Sequence, residues 1–558
     1  MTRPIDLLRE GRREELWQMC CGFLDLNLEE FMTIQRRLLL EQIELLKNCE
    51  LGKKLFHGAM PQSIEDFREQ VPYTKYSDYI PELVDKKEDT LPAKVAHWVR
   101  TSGKTGEYEV KWVPVSEVFA HEYEKAAGAL ALLATCSKKG DTTKIREHLN
   151  MLFTVGPPEY ASGIMAYMVQ QAINYDMLPA NGAELEFEQR IKAGFQEALY
   201  NGVEIFGGLP SVLVAVGEQM KSGSGKKNVK KLLSHPRGML RIMKGMLKSK
   251  LARRAMIPSD LWSIRGIVCG GVDGGILKDK IKELWGRYPL EVYGSTEAAI
   301  SAVQTWDYSA MTFIPTLNFY EFIPESEWYK NQLDPSYKPK SILLDEVKEN
   351  EVYEIVMTNL HGGAMVRYRI GDMVRITSLR NEKCGIETPQ MVFERRADDL
   401  IDIFGFGHIT ERLTWQAIEN TGIPYVDWTA KKEVTGDKST LHIYIELKED
   451  RAIREDTISN AIYDEFLKLD KVHNFNLYKY AYGEAIKRLD FTPVTITLLP
   501  RGAFANFIKQ RRAQGADLGH LKPPHLNPSK DILDLLGAKR VSVEAVPARN
   551  TEEAGIRS

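Results

Sequence analysis

The sequence predicts an α/β fold: a large N-terminal α/β body followed by a smaller α+β module. Three observations predict it. An apolar strand reading at residues 264–269 is followed by a Gly270-Gly271 turn and a helix at 276–285. That helix carries Ile276, Leu277, Ile281, Leu284 and Trp285 near the 3.6-residue period and leads into a second short strand, completing an α/β unit. Past a charge-rich stretch at residues 394–401 the character changes to a hairpin, one amphipathic helix and one strand. The expected boundaries are 1–395 for the body, 396–540 for the module and 541–558 for a frayed tail.

With 558 residues, 43% of them apolar, the chain can bury a large core. Its net charge of −3 gives no global reason to expect nucleic acid as a partner. The six cysteines include no C-x-x-C pair and read as free thiols of a reducing compartment. The first residues lack an apolar core of signal-peptide length. The longest apolar run, near 126–134, is about half the ~20 residues that cross a bilayer. A cytoplasmic protein without a transmembrane segment is expected; nothing fixes its oligomeric state.

In chain order, residues 16–51 read as helix, with Phe31, Ile34, Leu38, Leu45 and Leu46 on one face and Gly52 as its stop. Residues 67–83 form a proline-punctuated connector. A hairpin follows at 95–112, its tip Thr101-Ser102-Gly103-Lys104-Thr105-Gly106. Hydroxyls, exposed N–H groups and one lysine suit a phosphate. It is no Walker loop, because Trp98 stands where that motif needs its first glycine. Helices are expected at 116–134, 164–177 and 185–199, and another opened by Pro210 and Ser211.

Residues 221–254 carry twelve Lys or Arg and no acidic residue. The simplest reading is a basic helical insertion that packs Leu232, Leu233, Met239, Leu240, Ile242 and Met243 inward. A basic face for anionic lipid, polyanion or a protein partner stays open.

Residues 291–297, Glu-Val-Tyr-Gly-Ser-Thr-Glu, fall at a strand end, where α/β sheets bind ligands. There Tyr293 offers a ring for a flat base and Gly294 lets backbone approach closely. Ser295 and Thr296 offer hydroxyls to phosphate, and Glu297 a carboxylate to Mg²⁺. Strands are expected at 319–324 with alternating faces, at 352–358 and at 365–370. The last ends in Arg367-Tyr368-Arg369-Ile370-Gly371-Asp372, where a carboxylate past a strand and glycine can accept two hydrogen bonds from a ribose diol. The module reads as a hairpin (425–433, 440–447), a helix (453–469), a strand (494–499) and a segment leading to Lys522-Pro523-Pro524-His525.

Together these motifs, in this order and spacing, resemble the adenylate-forming superfamily. Within it the chain is similar to the Gretchen Hagen-type auxin-responsive acyl acid–amido synthetases over roughly residues 25–530, least so at 140–260. The resemblance implies a large adenylate-forming body with a smaller mobile C-terminal domain. It implies ATP and Mg²⁺, a small carboxylic acid converted to an acyl-adenylate, and an amine, usually an amino acid, as acceptor. Carried over, Ser102, Gly103, Lys104, Thr105 and Gly106 form the phosphate loop, and Gly270, Gly271 and Val272 flank the adenine on which Tyr293 packs, beside Gly294 and Ser295. Thr296 touches the α-phosphate, Glu297 sits by Mg²⁺, Asp372 takes the ribose hydroxyls, Asp398 lies at the hinge, and Lys522 reaches the carboxylate and α-phosphate oxygens. No base for the second step is identified; His361 and His408 are better read as satisfied structural histidines.

One departure from the family loop stands out. Lys104 holds its fourth place, Glu109 stands where its last lysine belongs, and Lys111 follows two residues later. Residues 365–372 also resemble the phenylacetate–CoA ligase branch, so CoA is the alternative acceptor. The altered loop leaves a nucleotide-binding protein with impaired turnover as a further alternative.

Overall fold

The computed structural model describes residues 2–100, 111–153, 158–185, 187–222, 235–270, 274–397, 400–403, 407–435, 438–449, 453–473, 494–513 and 523–538. The chain divides into two compact units, Met1–Asp398 and Asp399–Ser558.

In the first unit, β1 (Val95–Arg100) and β2 (Trp112–Ser116) pair antiparallel, with Arg100 opposite Trp112. The tip of that hairpin, and the expected strand residues 108–110, lie outside the described residues. An eleven-stranded sheet follows: β3 (Asn150–Phe153), β4 (Asp176–Leu178), β5 (Ile205–Gly208), β6 (Gly266–Gly270), β7 (Leu290–Ser295), β8 (Ala299–Gln304), β9 (Met311–Phe313), β10 (Asn318–Pro324), β11 (Val352–Asn359), β12 (Tyr368–Ser378) and β13 (Gln390–Arg396). Its order is β10-β11-β12-β13-β9-β8-β7-β6-β5-β3-β4. The β4-β3-β5-β6-β7 half is parallel, and from β7 outward every pairing is antiparallel. The strand at β10 was expected to alternate; instead every residue but Pro324 is buried, because both of its faces are covered.

Under the parallel half runs the helix Glu117–Thr135, whose Ala- and Leu-rich body is buried and whose Ser116 hydroxyl caps the Phe119 N–H at 3.0 Å. The helix expected at 164–177 ends at Ile173, since Asn174 takes the left-handed conformation (φ 61°), and Met177 belongs to β4.

The long N-terminal helix also differs from expectation. Residues 16–51 are broken into Arg13–Cys21 and Leu28–Lys47, the second capped by Asn27. Leu45 is exposed, while Gln35 and Gln42 share the buried face with Phe31, Leu38 and Leu46. Gln35 donates to the Asn318 carbonyl at 2.7 Å and accepts from the Tyr320 N–H at 3.1 Å; Gln42 clamps Gly362 and Gly363. Gly52 is no stop signal, for it lies inside the helix Glu50–Leu55. A Cβ there would sit 2.0 Å from the Leu46 carbonyl oxygen, so glycine is required by close packing.

The basic insertion contains the helix Pro236–Leu251, but its orientation reverses the expected one. Met239, Leu240 and Met243 are exposed, and Gly238, Gly245 and Ser249 are buried. The small residues win because the backbone comes so close: a Cβ at Gly245 would lie 2.7 Å from Leu261. Leu232 and Leu233 lie outside the described residues.

In the second unit β14 (Leu400–Ile403) pairs with β15 (Gly407–Thr410), and β16 (Tyr425–Thr435), β17 (Lys438–Leu447) and β18 (Val494–Leu498) form a three-stranded sheet. The helices Glu455–His473 and Ala503–Ala513 accompany it. Here His525 stacks on Trp428 (4.4 Å, 8°), with Asp427 at 2.9 Å from Nε2 and Glu411 on Nδ1. Burial opposes its protonation, but the hydrogen bonds to Asp427 and Glu411 prevail and raise its pKa to about 9. A folded pKa above the ordinary 6.5 gives stability that is full below pH 6.5 and is lost as pH rises through about 9. The effect is of the order of 3 kcal/mol. Urea midpoints of wild type and His525→Gln should therefore differ most at acid to neutral pH and converge at alkaline pH.

All six cysteines are buried and free. Among the described residues, no helix is long and apolar enough to cross a membrane.

Candidate functional site

The carboxyl ends of the parallel strands bring Gly207 and Gly208 of β5, Gly270 of β6 and Gly294 and Ser295 of β7 to one edge. There they line a cavity of about 310 Å³. The helix Glu117–Thr135 contributes Tyr123, Leu130 and Ala131 to its wall, and Ala161–Ile173 contributes Met165 and Val169. The lining is mostly apolar, with Ser162, Ser295 and two tyrosines as its polar groups. Such a cavity suits an apolar body that carries one polar end.

Beside it lies the 291–297 stretch. Ser295, Thr296 and Glu297 line a narrow cleft together with Val99 of β1 and Val113 of β2, so the hairpin stems stand next to the motif. Ser295 accepts the Ala298 N–H at 3.1 Å, closing the β7–β8 turn. Gly294 is required by that turn too: a Cβ there would meet the Ala299 carbonyl oxygen at 2.1 Å. One close backbone approach at Gly294 is thus made by the chain itself.

Tyr293 and Asp372 come together across the sheet. The Tyr293 hydroxyl donates to Asp372 Oδ2 at 2.9 Å, and Arg396 Nη1 donates to Asp372 Oδ1 at 2.7 Å. The Tyr293 ring packs against Phe393 at 6.2 Å. Burial pushes the Asp372 carboxyl up while the Arg396 guanidinium pulls it down; burial and then Asp372 hold the Tyr293 phenol well above its usual range. Asp372 was expected just past the end of a strand. It lies within β12, opposite Arg396 of β13, because β12 continues through Gly371 in a left-handed conformation (φ 77°).

Glu297 is buried. Its Oε1 accepts the Tyr368 hydroxyl at 3.2 Å, and its carbonyl accepts from Asn359 Nδ2 at 2.9 Å. Burial and the Glu297 charge raise the Tyr368 phenol, which keeps it a donor. The two motif arginines are spent on structure. Arg367, just before β12, holds Glu321 of β10 at 2.7 Å, and Arg369 of β12 holds Glu354 of β11 at 2.7 Å.

Sequence reasoning passed over Tyr368, Arg396 and Asn359. Tyr368 stands inside the quoted motif and Arg396 in the charge cluster, and both were read there as strand and boundary. His361, read as a satisfied histidine, is satisfied only in part: it has a backbone hydrogen bond with Thr316, while burial lowers its pKa and Nε2 is buried with no hydrogen-bond partner among the described residues. Lys111 lies 5.6 Å from the centre of the Tyr76 ring. Ser102, Gly103, Lys104, Thr105, Gly106, Gly271, Val272, Asp398, Lys522 and the His408 side chain lie outside the described residues.

Comparison with known proteins finds one family in two places along the chain. A model described as the GH3 family N-terminal domain matches residues 22–181, and one described as the GH3 family central domain matches 311–396. Both models are of the GH3 family, and they match the chain in order. The N-terminal match extends into residues 140–181, part of the region expected to resemble the family least, while the 291–297 motif falls between the two matches.

The chain is 26% identical over 247 residues to the indole-3-acetic acid-amido synthetase GH3.3 of Arabidopsis thaliana, covering 42% of the chain and 38% of the relative. It is 32% identical over 197 residues to the jasmonoyl–L-amino acid synthetase JAR4 of Nicotiana attenuata, covering 33% and 32%. The matched stretch therefore spans well under half the length of each. Among solved structures, the AtGH3.15 acyl acid amido synthetase in complex with 2,4-DB matches with a TM-score of 0.64 at 17% identity, covering 93% of this chain and 95% of that one. A 2-hydroxyisobutyryl-CoA ligase in the postadenylation state matches at 0.57 and 14%, covering 94% and 93%. At these identities the likeness shows the fold, that of the adenylate-forming ligases.

Proposed function

We propose that this chain is a ligase that activates a small carboxylic acid with ATP and passes the acyl group to an amine, an amino acid being the favoured acceptor. In the first step a carboxylate oxygen attacks the α-phosphorus, the bond to the β-phosphate oxygen breaks, and pyrophosphate leaves. In the second the amine nitrogen attacks the acyl carbon, the carbon–oxygen bond to AMP breaks, and the nitrogen loses a proton. The observation that carries the reading is the apolar strand-end cavity opening beside Ser295, next to the cleft of Thr296 and Glu297. An acid whose body fills the cavity presents its carboxylate there.

Both reactants of the first step are anionic, so charge neutralisation matters more than proton transfer. Glu297 fits a Mg²⁺ ligand, since that ion is usually held by one or two carboxylates together with substrate phosphates; bound there, the ion would offset charge on the phosphates. Thr296 offers a hydroxyl to the α-phosphate, and Asp372 takes the ribose while Tyr293 and Arg396 fix its orientation. The phosphate loop at 102–106 and the charge of Lys522 complete the set by resemblance. The names of the curated relatives support an amide product; the structural likeness to a CoA ligase keeps a thioester as the second reading.

The test is acid-dependent pyrophosphate release, screened over carboxylic acids, with amino acids or CoA then competing as acceptors. Consumption of the acyl-adenylate by CoA alone would replace the amide by the thioester. Ala131 faces the cavity and is nearly inaccessible, so Ala131→Phe fills it. That variant should raise KM for the acid at least about tenfold and leave KM for ATP unchanged, as binding energy from the acyl body is lost.

A further inference from the structure

The helix Pro236–Leu251 presents the wrong face to solvent for a soluble protein. Leu240, Met243, Leu247 and Leu251 are exposed by 56%, 57%, 60% and 77%, and Met239 and Met246 join them. Spaced three and four apart, they make one continuous apolar stripe. On the opposite side Gly238, Gly245 and Ser249 seat the helix on the body. Arg241 bonds the Leu199 and Tyr200 carbonyls, His235 stacks on Tyr200 at 3.7 Å, and Arg254 pairs with Asp260 at 2.7 Å. The outward stripe is therefore held in place by specific contacts.

Cations surround it. Arg237, Lys244, Lys248 and Lys250 are exposed and make no ion pair among the described residues. The helix itself carries five cationic side chains, Arg241 being the fifth, and no acidic one. A second copy of the same face would meet it with like charge, which opposes self-association. A convex apolar stripe flanked by long cationic side chains matches an anionic bilayer surface: the Leu and Met chains enter the acyl boundary while Lys and Arg reach the headgroups.

We propose that this helix docks the protein peripherally on anionic lipid membranes. The site stands apart from the cavity and the Ser295–Glu297 cleft, so docking places the ligase at a surface where apolar acids partition. Electrostatics and apolar burial both contribute, so binding requires acidic headgroups and weakens with salt.

The experiment is flotation of the full-length protein with vesicles of phosphatidylcholine alone or of equimolar phosphatidylcholine and phosphatidylserine. Wild type should float only with the anionic vesicles, and less in high salt. Two double variants, Met243→Ser with Leu247→Ser and Lys244→Glu with Lys248→Glu, should each lower the partition coefficient at least about tenfold while leaving adenylation in solution unchanged. Failure of wild type to float with anionic vesicles would overturn the proposal, as would binding indifferent to both variants. So would concentration-dependent dimerisation in lipid-free sedimentation that the serine variant abolishes, or capture by an acidic protein with no vesicle binding.

Discussion

Replacing Asp372 by alanine should raise the dissociation constant for ATP about tenfold to a hundredfold, the usual cost of losing a charged hydrogen-bond partner. The structure explains why one carboxylate can carry that much. Asp372 is nearly inaccessible, and each of its oxygens already accepts one hydrogen bond, from Tyr293 and from Arg396. A carboxylate oxygen has a second lone pair, so both retain an acceptor site for a ribose hydroxyl, and neither can swing away. Arg396→Ala should weaken ATP binding in the same direction by loosening that orientation. Isothermal titration with ATP, alongside thermal melting to confirm folding, measures both; unchanged affinity in Asp372→Ala would remove the ribose assignment.

Glu297→Gln should leave the fold intact and slow acid-dependent pyrophosphate release by about 10²–10³, the scale of losing one preorganised electrostatic group. The amide keeps an oxygen to accept the Tyr368 hydroxyl, so packing at the site changes little. What it loses is the negative charge that would hold the metal. The Mg²⁺ concentration for half-maximal activity should therefore rise in the variant. An unaltered rate and an unaltered Mg²⁺ requirement would show that Glu297 has no part in metal binding.

The strand-end part of the candidate site was legible because short-range pattern and topology agree. The apolar strand ending at Gly270, the helix through Trp285 and the strand holding Tyr293 form one local unit, and the rule that ligands gather at strand ends then locates the cavity. What stayed hidden depends on pairings far apart in sequence. Tyr293 meets Asp372 only after the antiparallel half of the sheet is assembled, and Arg396 reaches Asp372 only through the β12–β13 register. Periodicity carries no such information.

Glycine carries more than one meaning. At Gly52 a turn signal proved to be a packing requirement, and at Gly294 the chain's own turn already requires glycine, whatever binds there. The helix Pro236–Leu251 was misread because an amphipathic pattern fixes which residues share a face but not which face turns inward; three small residues decided it. Gln35 and Gln42 were overlooked since polar residues on an apolar stripe look like solvent positions until their backbone partners appear.

The most direct measurement is isotope exchange of pyrophosphate into ATP, run with the purified full-length protein across a panel of small carboxylic acids without any amine. Reversible acyl-adenylate formation predicts exchange that requires both an acid and Mg²⁺, that needs about tenfold to a hundredfold more ATP in Asp372→Ala, and that slows about 10²–10³ in Glu297→Gln. Tight ATP binding with no acid supporting exchange, or exchange unaltered in both variants, would contradict the assignment of this edge of the sheet as an adenylation site.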